Sequence, residues 1–269
     1  MSLASRLPFR HPYAAGFPGL GSQPVPTDAD ALDYLDRMAA ADGAGVEVGV
    51  AVAVDAFFRD TKAAGVFNAL KACCIVAGAR TITGALVPLA GDAPTSNGFV
   101  SGDYSRTAGL KGDGTSYLDS GRANNDDPQN DKHISVYSTE TSGSGVTIGT
   151  PALEVGRSAL FRSTGLSQLA FRINADSVGF GGSNTSTGLM GASRNQASNF
   201  TARASQSDII FSAASETPSS SALLIFIEEP GSAFACDDRI AFYSIGTSLS
   251  LEALDTAVTN LITAIGEAL

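Results

Sequence analysis

Between residues 78 and 246 the sequence is cut into short runs in which apolar and polar residues alternate. Eleven such runs stand out, at 106–110, 116–118, 133–138, 145–149, 159–163, 168–174, 188–194, 199–205, 208–213, 222–228 and 238–245. Between them lie turn formers such as Lys111-Gly112-Asp113-Gly114, Gly143-Ser144, Gly181-Gly182-Ser183-Asn184 and the polar stretch 216–220. A period of two sends successive side chains to opposite faces of a sheet, so each run reads as a strand. Parallel strands need long, usually helical crossovers, and none separate these runs. The pattern therefore predicts a mainly β protein built as an antiparallel sandwich. Apolar residues make up 43% of the 269, enough for a sizeable core. Charged residues are only 16%, against about 25% in an average soluble chain. Ser, Thr, Asn, Gly and Ala fill the difference, as suits a turn-rich β surface.

The flanks read differently. Residues 1–26 hold five of the eleven prolines, no acid, and the arginines Arg6 and Arg10. Proline removes a backbone donor and fixes φ, so this stretch reads as an extended arm. Such an arm packs on its own domain or on a partner, or is a disordered tail; Phe9, Tyr13 and Phe17 argue against the tail, and a basic arm on an acidic protein suggests an anchor on another subunit. Residues 27–78 read as helical. Thr27 and Asp30 form a capping pair, and Leu32, Leu35, Met38 and Ala39 recur at helical spacing up to Asp42-Gly43. A second helix is expected from about Val50 to Cys74, broken near Gly65. Val46, Val48, Val50, Val52 and Val54 alternate as a strand would, but the interleaved alanines and the long continuation favour helix. Residues 79–269 then form the sandwich and a closing helix. That helix is capped by Ser250 and carries one apolar stripe, Leu251, Leu254, Val258, Leu261, Ile262, Ile265 and Leu269.

Charge and cysteine usage narrow the function. The net charge is −10, and residues 101–269 alone carry 18 acids against 10 bases. Nucleic-acid binding needs a basic patch, and no Lys/Arg cluster appears. No apolar run reaches the length of a membrane helix, and the prolines at 8, 12 and 18 interrupt anything resembling a signal peptide. Synthesis in a cytoplasm is expected. Cys73, Cys74 and Cys236 lack metal-ligand spacing and read as small buried apolar residues.

Candidate chemistry is sparse. A glycosidase needs two carboxylates flanking one bond, and acids sharing a strand face lie two or four residues apart. No Glu-x-Asp-x-Glu pattern occurs, and Glu228-Glu229 and Asp237-Asp238 are adjacent pairs whose members point to opposite faces. The two histidines are His11 in the arm and His133, which opens a strand and is expected at the surface. No Gly-x-Ser-x-Gly is present. The loop Asn124-Asn125-Asp126-Asp127-Pro128-Gln129-Asn130-Asp131 collects hard oxygen donors. Asp126, Asp127 and Asp131 are candidate calcium ligands, although the spacing is not that of an EF-hand and a local turn explains the composition equally. The glycine-rich stretch 181–188 lacks a following helix and reads as a hairpin loop rather than a phosphate cradle.

Three stretches, taken in order, carry a resemblance: Ala56-Phe57-Phe58-Arg59-Asp60-Thr61-Lys62-Ala63-Ala64-Gly65-Val66-Phe67; Leu110-Lys111-Gly112-Asp113-Gly114-Thr115-Ser116-Tyr117-Leu118-Asp119 followed by His133-Ile134-Ser135-Val136-Tyr137-Ser138; and Arg239-Ile240-Ala241-Phe242-Tyr243-Ser244-Ile245-Gly246. Together they resemble a family of phage virion proteins with a concanavalin A-like (laminin G-like) sandwich, a jelly roll with N-terminal helices and a C-terminal helix. The resemblance covers about residues 30–269. It implies a virion component: a tail fibre, a baseplate or adhesin component, or a head-decoration protein, with other virion proteins as partners; the fold also hosts glycosidases, and the missing carboxylate pair argues against an enzyme. It also implies a homo-oligomer, often a trimer. The overlapping alternative is a tail adhesin that binds a host surface glycan, with calcium as an optional cofactor.

Overall fold

The computed structural model describes residues 25–269. The arm residues Arg6, Phe9, Arg10, Tyr13 and Phe17 lie outside the described residues. The described chain opens with helices α1 (Ala29–Asp42) and α2 (Val48–Ala63), then strand β1 (Leu70–Ile75) and the single turn α3 (Ile82–Ala85). Strands β2 (Thr95–Asn97), β3 (Tyr104–Ser105), β4 (Gly109–Lys111), β5 (Tyr117–Ala123), β6 (Lys132–Glu140), β7 (Gly145–Gly149) and β8 (Ala159–Ser163) follow. Next come β9 (Gln168–Arg172), β10 (Gly179–Ser183), β11 (Gly188–Arg194), β12 (Asn199–Ala204), β13 (Ser207–Ser212), β14 (Ala222–Ile225) and β15 (Arg239–Gly246). Helix α4 (Leu251–Ala268) closes the chain.

The strands form two antiparallel sheets. The first has the order β13-β12-β11-β6-β15-β4-β3, with β1 added alongside β15. The second has the order β10-β9-β8-β7-β14-β5-β2. Their inner faces meet in the core, where Phe171 of β9 stacks on Phe211 of β13 at 6.2 Å. Glycine makes that contact possible, since a Cβ on Gly179 of β10 would lie 2.4 Å from the Phe211 ring. The protein is thus a mainly β sandwich with helices at both ends of the described chain.

The helices cover the outer face of the first sheet. Asp28 caps α1 by accepting from the backbone N–H groups of Asp30 and Ala31. Gly43, at φ 67°, ends it in the left-handed conformation. Phe57 of α2 meets Phe242 of β15 edge-on at 5.9 Å. The α4 stripe buries Leu251, Leu254, Val258, Leu261, Ile262 and Ile265. Full burial of such a side chain contributes roughly 1.5–3 kcal/mol, so the helix is held by its face. A polar tie joins it to the sheet: Arg203 Nε of β12 donates to Asp255 Oδ2 of α4 at 2.7 Å. Because helices lie on one side of β15 and the second sheet on the other, residues 240–246 are buried throughout.

One expectation is corrected. The segment expected as helix from Val50 to Cys74, within the region 27–78 read as helical, is helical only to Ala63. Gly65, at φ 73°, turns the chain out of the helix. The residues after it pair with β15, Cys74 opposite Tyr243 and Ile75 opposite Phe242. Burial on both faces of a sheet outweighs a weak helical preference.

Candidate functional site

The acidic loop does not gather a metal site. Asp126 Oδ2 accepts from the backbone N–H of Ala123 at 2.8 Å. Asp127 is buried and takes Arg122 in a two-point pair, with Nη2–Oδ1 at 2.6 Å and Nε–Oδ2 at 3.0 Å. Buried Lys132 lies 3.6 Å from Asp127 Oδ2. Burial lowers the Lys132 ammonium to about 8, with Asp127 pulling against it. Asp131 Oδ1 accepts from both the N–H and the hydroxyl of Ser248, just before α4. Each carboxylate serves a different part of the fold, and no group of three metal-ligating side chains occurs among the described residues. The three aspartates therefore do not fit a shared calcium ion.

His133 is not at the surface, as expected from its place at a strand start, but fully buried in β6. Strand β6 is central, between β11 and β15, so both of its edges are paired. The Nδ1 atom lies 2.6 Å from the Thr247 carbonyl, which can only accept, so Nδ1 carries the proton. Nε2 then accepts from Ser244 Oγ at 2.9 Å, and Ser135 Oγ is 2.7 Å farther along the chain of hydroxyls. Burial lowers the imidazole to about 4. A serine beside a histidine resembles a nucleophile and its base. Here a carbonyl replaces the orienting carboxylate and the whole group is sealed from substrate. Cys73, Cys74 and Cys236 are free and buried, as the sequence suggests.

The second sheet has an outer face that no helix covers among the described residues. There β7, β8 and β9 bring Val146 opposite Phe161 and Ala159 opposite Arg172. Two loops rise around these side chains. One, 226–238, folds down against β7, where Val146 N–H donates to the Phe234 carbonyl at 2.7 Å. Gly145 permits this approach: at φ 90°, a Cβ there would lie 2.6 Å from the Ala235 carbonyl oxygen. The other loop, 150–158, is pinned at Gly156, whose N–H donates to Glu216 Oε2 at 2.9 Å. Glu154 of that loop accepts from the Ser221 hydroxyl. The space enclosed is a cavity of about 210 Å³.

Its chemistry is mixed in a specific way. Val146, Ala152, Ala159, Phe161 and Phe234 make apolar walls. Phe180 extends the aromatic surface, edge-on to Phe161 at 6.4 Å. Exposed Leu153, Val155 and Phe234 stand on the two surrounding loops. Three arginines reach the lining, Arg157, Arg162 and Arg172, against one carboxylate, Glu228. Arg162 is fully engaged: Nε donates to Asp238 at 2.6 Å, and Nη1 to the carbonyls of Asn184 and Ser186. Arg172 is 7% exposed, yet its Nε and Nη1 find no hydrogen-bond partner among the described residues. Glu228 is equally buried, and burial raises its carboxyl above the usual range, opposed by the Ser232 hydroxyl and by Arg157.

None of these cavity residues stood out in the sequence as a site. Arg172 interrupts the apolar run Leu169-Ala170-Phe171-Arg172-Ile173, which is its only sequence signal.

No protein-family model matches the chain, and no curated protein matches it. Solved structures give distant likenesses. The mouse laminin alpha1 chain, domains LG4-5, aligns at 12% identity over 45% of this chain and 37% of its own, with a TM-score of 0.33. The binding domain of botulinum neurotoxin serotype D aligns at 8% identity over 72% of this chain and 51% of its own, with a TM-score of 0.46. A Trypanosoma rangeli sialidase in complex with a difluoro-KDN aligns at 9% identity over 80% of this chain and 39% of its own, with a TM-score of 0.42. The chain thus spans between 37% and 51% of the length of these proteins. The two-sheet sandwich is established by the strand ladders themselves.

Proposed function

We propose that the protein is a binding subunit of a phage particle, with the sandwich displayed for ligand capture and residues 1–26 serving as its anchor. The observation that carries the binding reading is the asymmetry of the sandwich. Among the described residues, helices cover the outer face of one sheet, while the other keeps an open face with a walled cavity and a buried, unpartnered guanidinium. Well-formed apolar pockets with a few convergent polar groups are the usual form of a ligand site. Binding without turnover is supported by the lining, since Glu228 is its single carboxylate and glycoside hydrolysis uses two. Phage membership and a trimeric assembly rest on the sequence resemblance, and the anchoring role of residues 1–26 rests on their prolines, arginines and aromatics. The adhesin reading, capture of a host surface glycan, is the form of this function that the cavity favours.

A glycan array probed with the full chain tests the binding. Bound signal is expected, unchanged by a chelator, and lost in Ala159→Phe, which fills the cavity floor. Signal that persists in the filled variant removes the cavity from the function. Release of free sugar from bound glycans overturns the non-catalytic reading. Deleting residues 1–26 is expected to abolish incorporation into particles, and normal incorporation sinks the anchor.

A further inference from the structure

The guanidinium of Arg172 poses a physical problem. A cation removed from water is costly unless it is paired and hydrogen-bonded. Arg172 is 7% exposed, makes no ion pair among the described residues, and leaves Nε and Nη1 without acceptors. Elsewhere this protein gives its buried cations acceptors: Arg162 has Asp238, Arg203 has Asp255, Lys132 lies near Asp127, and Arg194 donates to five backbone carbonyls. Arg172 departs from that pattern, and it does so where it lines a cavity.

We propose that the cavity binds the carboxylate of an organic acid, with Arg172 as the primary contact and Arg157 as the second cation. This rests on the reading of the cavity as a binding site and names the chemistry it takes. A guanidinium presents a planar fork of donors that matches the two oxygens of a carboxylate. The ligand's carboxylate supplies the missing acceptors, and its body lies against Val146, Phe161 and Phe234. Arg157 lines the same space without an ion pair among the described residues. On a chain of net charge −10, a cavity where Arg172 and Arg157 face the single lining carboxylate Glu228 is a local exception that attracts an anion.

The lining also selects among anions. Glu228 sits in the same cavity and repels a dianion more than a monoanion. Apolar walls offer nothing to the remaining oxygens of phosphate or sulfate, but they do offer surface to a hydrocarbon or to the face of a sugar ring. A monocarboxylate with a compact body satisfies both conditions.

The test uses the full chain, with binding followed by titration calorimetry and by the resonances of Phe161 and Phe234. The probes are phenylacetate, its uncharged amide phenylacetamide, glucuronate and inorganic phosphate. Phenylacetate is expected to bind saturably. The amide, and Arg172→Met with phenylacetate, are expected to bind at least about tenfold more weakly, as loss of a charge-assisted pair implies. Arg157→Met, which changes a more exposed residue, is expected to weaken binding as well and stands in if Arg172→Met fails to fold. If glucuronate saturates the same resonances, the carboxylate is that of an acidic sugar. If only phenylacetate does, it is that of an acid with an apolar body, and both results support the proposal. Failure of both acids to bind overturns it. So does equal binding of the amide, unchanged affinity in both variants, or phosphate competing as well as the acids. If the carboxylates fail while the glycan-array signal is still lost in Ala159→Phe, the binding function stands and only the ligand class falls.

Discussion

Arg162 Nε lies 2.6 Å from Asp238 Oδ2, with neither side chain exposed to solvent. The pair crosses the sandwich, since Arg162 belongs to β8 of the second sheet and Asp238 immediately precedes β15 of the first. Further bonds complete it: Ser138 Oγ donates to the carboxylate, and Arg162 Nη1 donates to two carbonyls in the turn after β10. Breaking a buried pair from one side leaves an uncompensated charge. Asp238→Ala is therefore expected to cost about 3–5 kcal/mol in urea unfolding. The double change Arg162→Met with Asp238→Leu is expected to recover most of that loss, because an apolar pair leaves no charge stranded. A single-variant cost below about 1 kcal/mol would mean that water reaches the pair.

The legibility of these features in the sequence follows from how local their causes are. The α4 stripe is legible because its partners in the pattern, Leu254, Val258, Leu261 and Ile265, lie within one helix. The run Ile240–Ile245 is legible as a strand because burial on both faces leaves no polar alternation to blur it. Strand β1 is not legible. Ala72-Cys73-Cys74 carries no strong preference, and what makes it a strand is β15. The Tyr243 hydroxyl lies 3.5 Å from Cys74 Sγ although 169 residues separate the two. Strand β10 is hidden because its glycines are poor strand formers and the stretch 181–188 reads as a loop, yet Gly179 is what admits Phe211. The cavity escaped for a similar reason. Arg172 looks like any solvent-facing arginine of a strand until two distant loops close over it.

His133 gives the stability a pH dependence in a defined window. Its folded value is about 4, against about 6.5 for an unperturbed imidazole, because burial disfavours the charged ring. Between those values the unfolded chain takes up a proton that the folded protein refuses. Stability is therefore lost as pH falls from about 6.5 towards 4, by up to about 3 kcal/mol for this group. Above pH 6.5 both states are neutral and nothing is lost. Asp113 acts lower down: the N–H groups of Ser116 and Thr115 hold it at about 2, so its contribution is lost only below the usual aspartate range. Glu228, raised by burial, acts with the opposite sign. The measurement is thus a difference, unfolding free energy of the wild type minus that of His133→Gln from pH 7 to 4. A flat difference across that range would refute the assignment.

The acidic loop yields a contrast between structural and metal roles. Asp131 holds the N–H and hydroxyl of Ser248 and so fixes the approach to α4. Asp131→Ala is expected to cost about 1–3 kcal/mol, since it strands one N–H and one hydroxyl. The melting temperature is expected to be the same in EDTA and in millimolar calcium, because Asp126, Asp127 and Asp131 already serve separate partners. A calcium-dependent rise in melting temperature that disappears in Asp127→Asn would restore the loop as a metal site.

Glu228 is expected to act as an internal competitor in the cavity. Its neighbours are Arg157 and Ser232, which favour the charged form, and Glu229, which opposes it; burial outweighs them and raises the carboxyl. When ionised it repels an incoming carboxylate and offsets the arginines. When protonated it does neither. Binding of phenylacetate is therefore expected to tighten as pH falls through the raised Glu228 value, and to weaken again once the ligand itself takes up a proton. Glu228→Gln keeps the shape and removes the charge. It is expected to bind phenylacetate several-fold more tightly than the wild type at pH 7, with little pH dependence down to the ligand's own titration. Because Glu228 is nearly as buried as Arg172, the effect is expected to persist at high salt, where an exposed charge would be screened. Weaker binding by Glu228→Gln would assign the carboxylate the opposite role, that of an acceptor for a donor on the ligand.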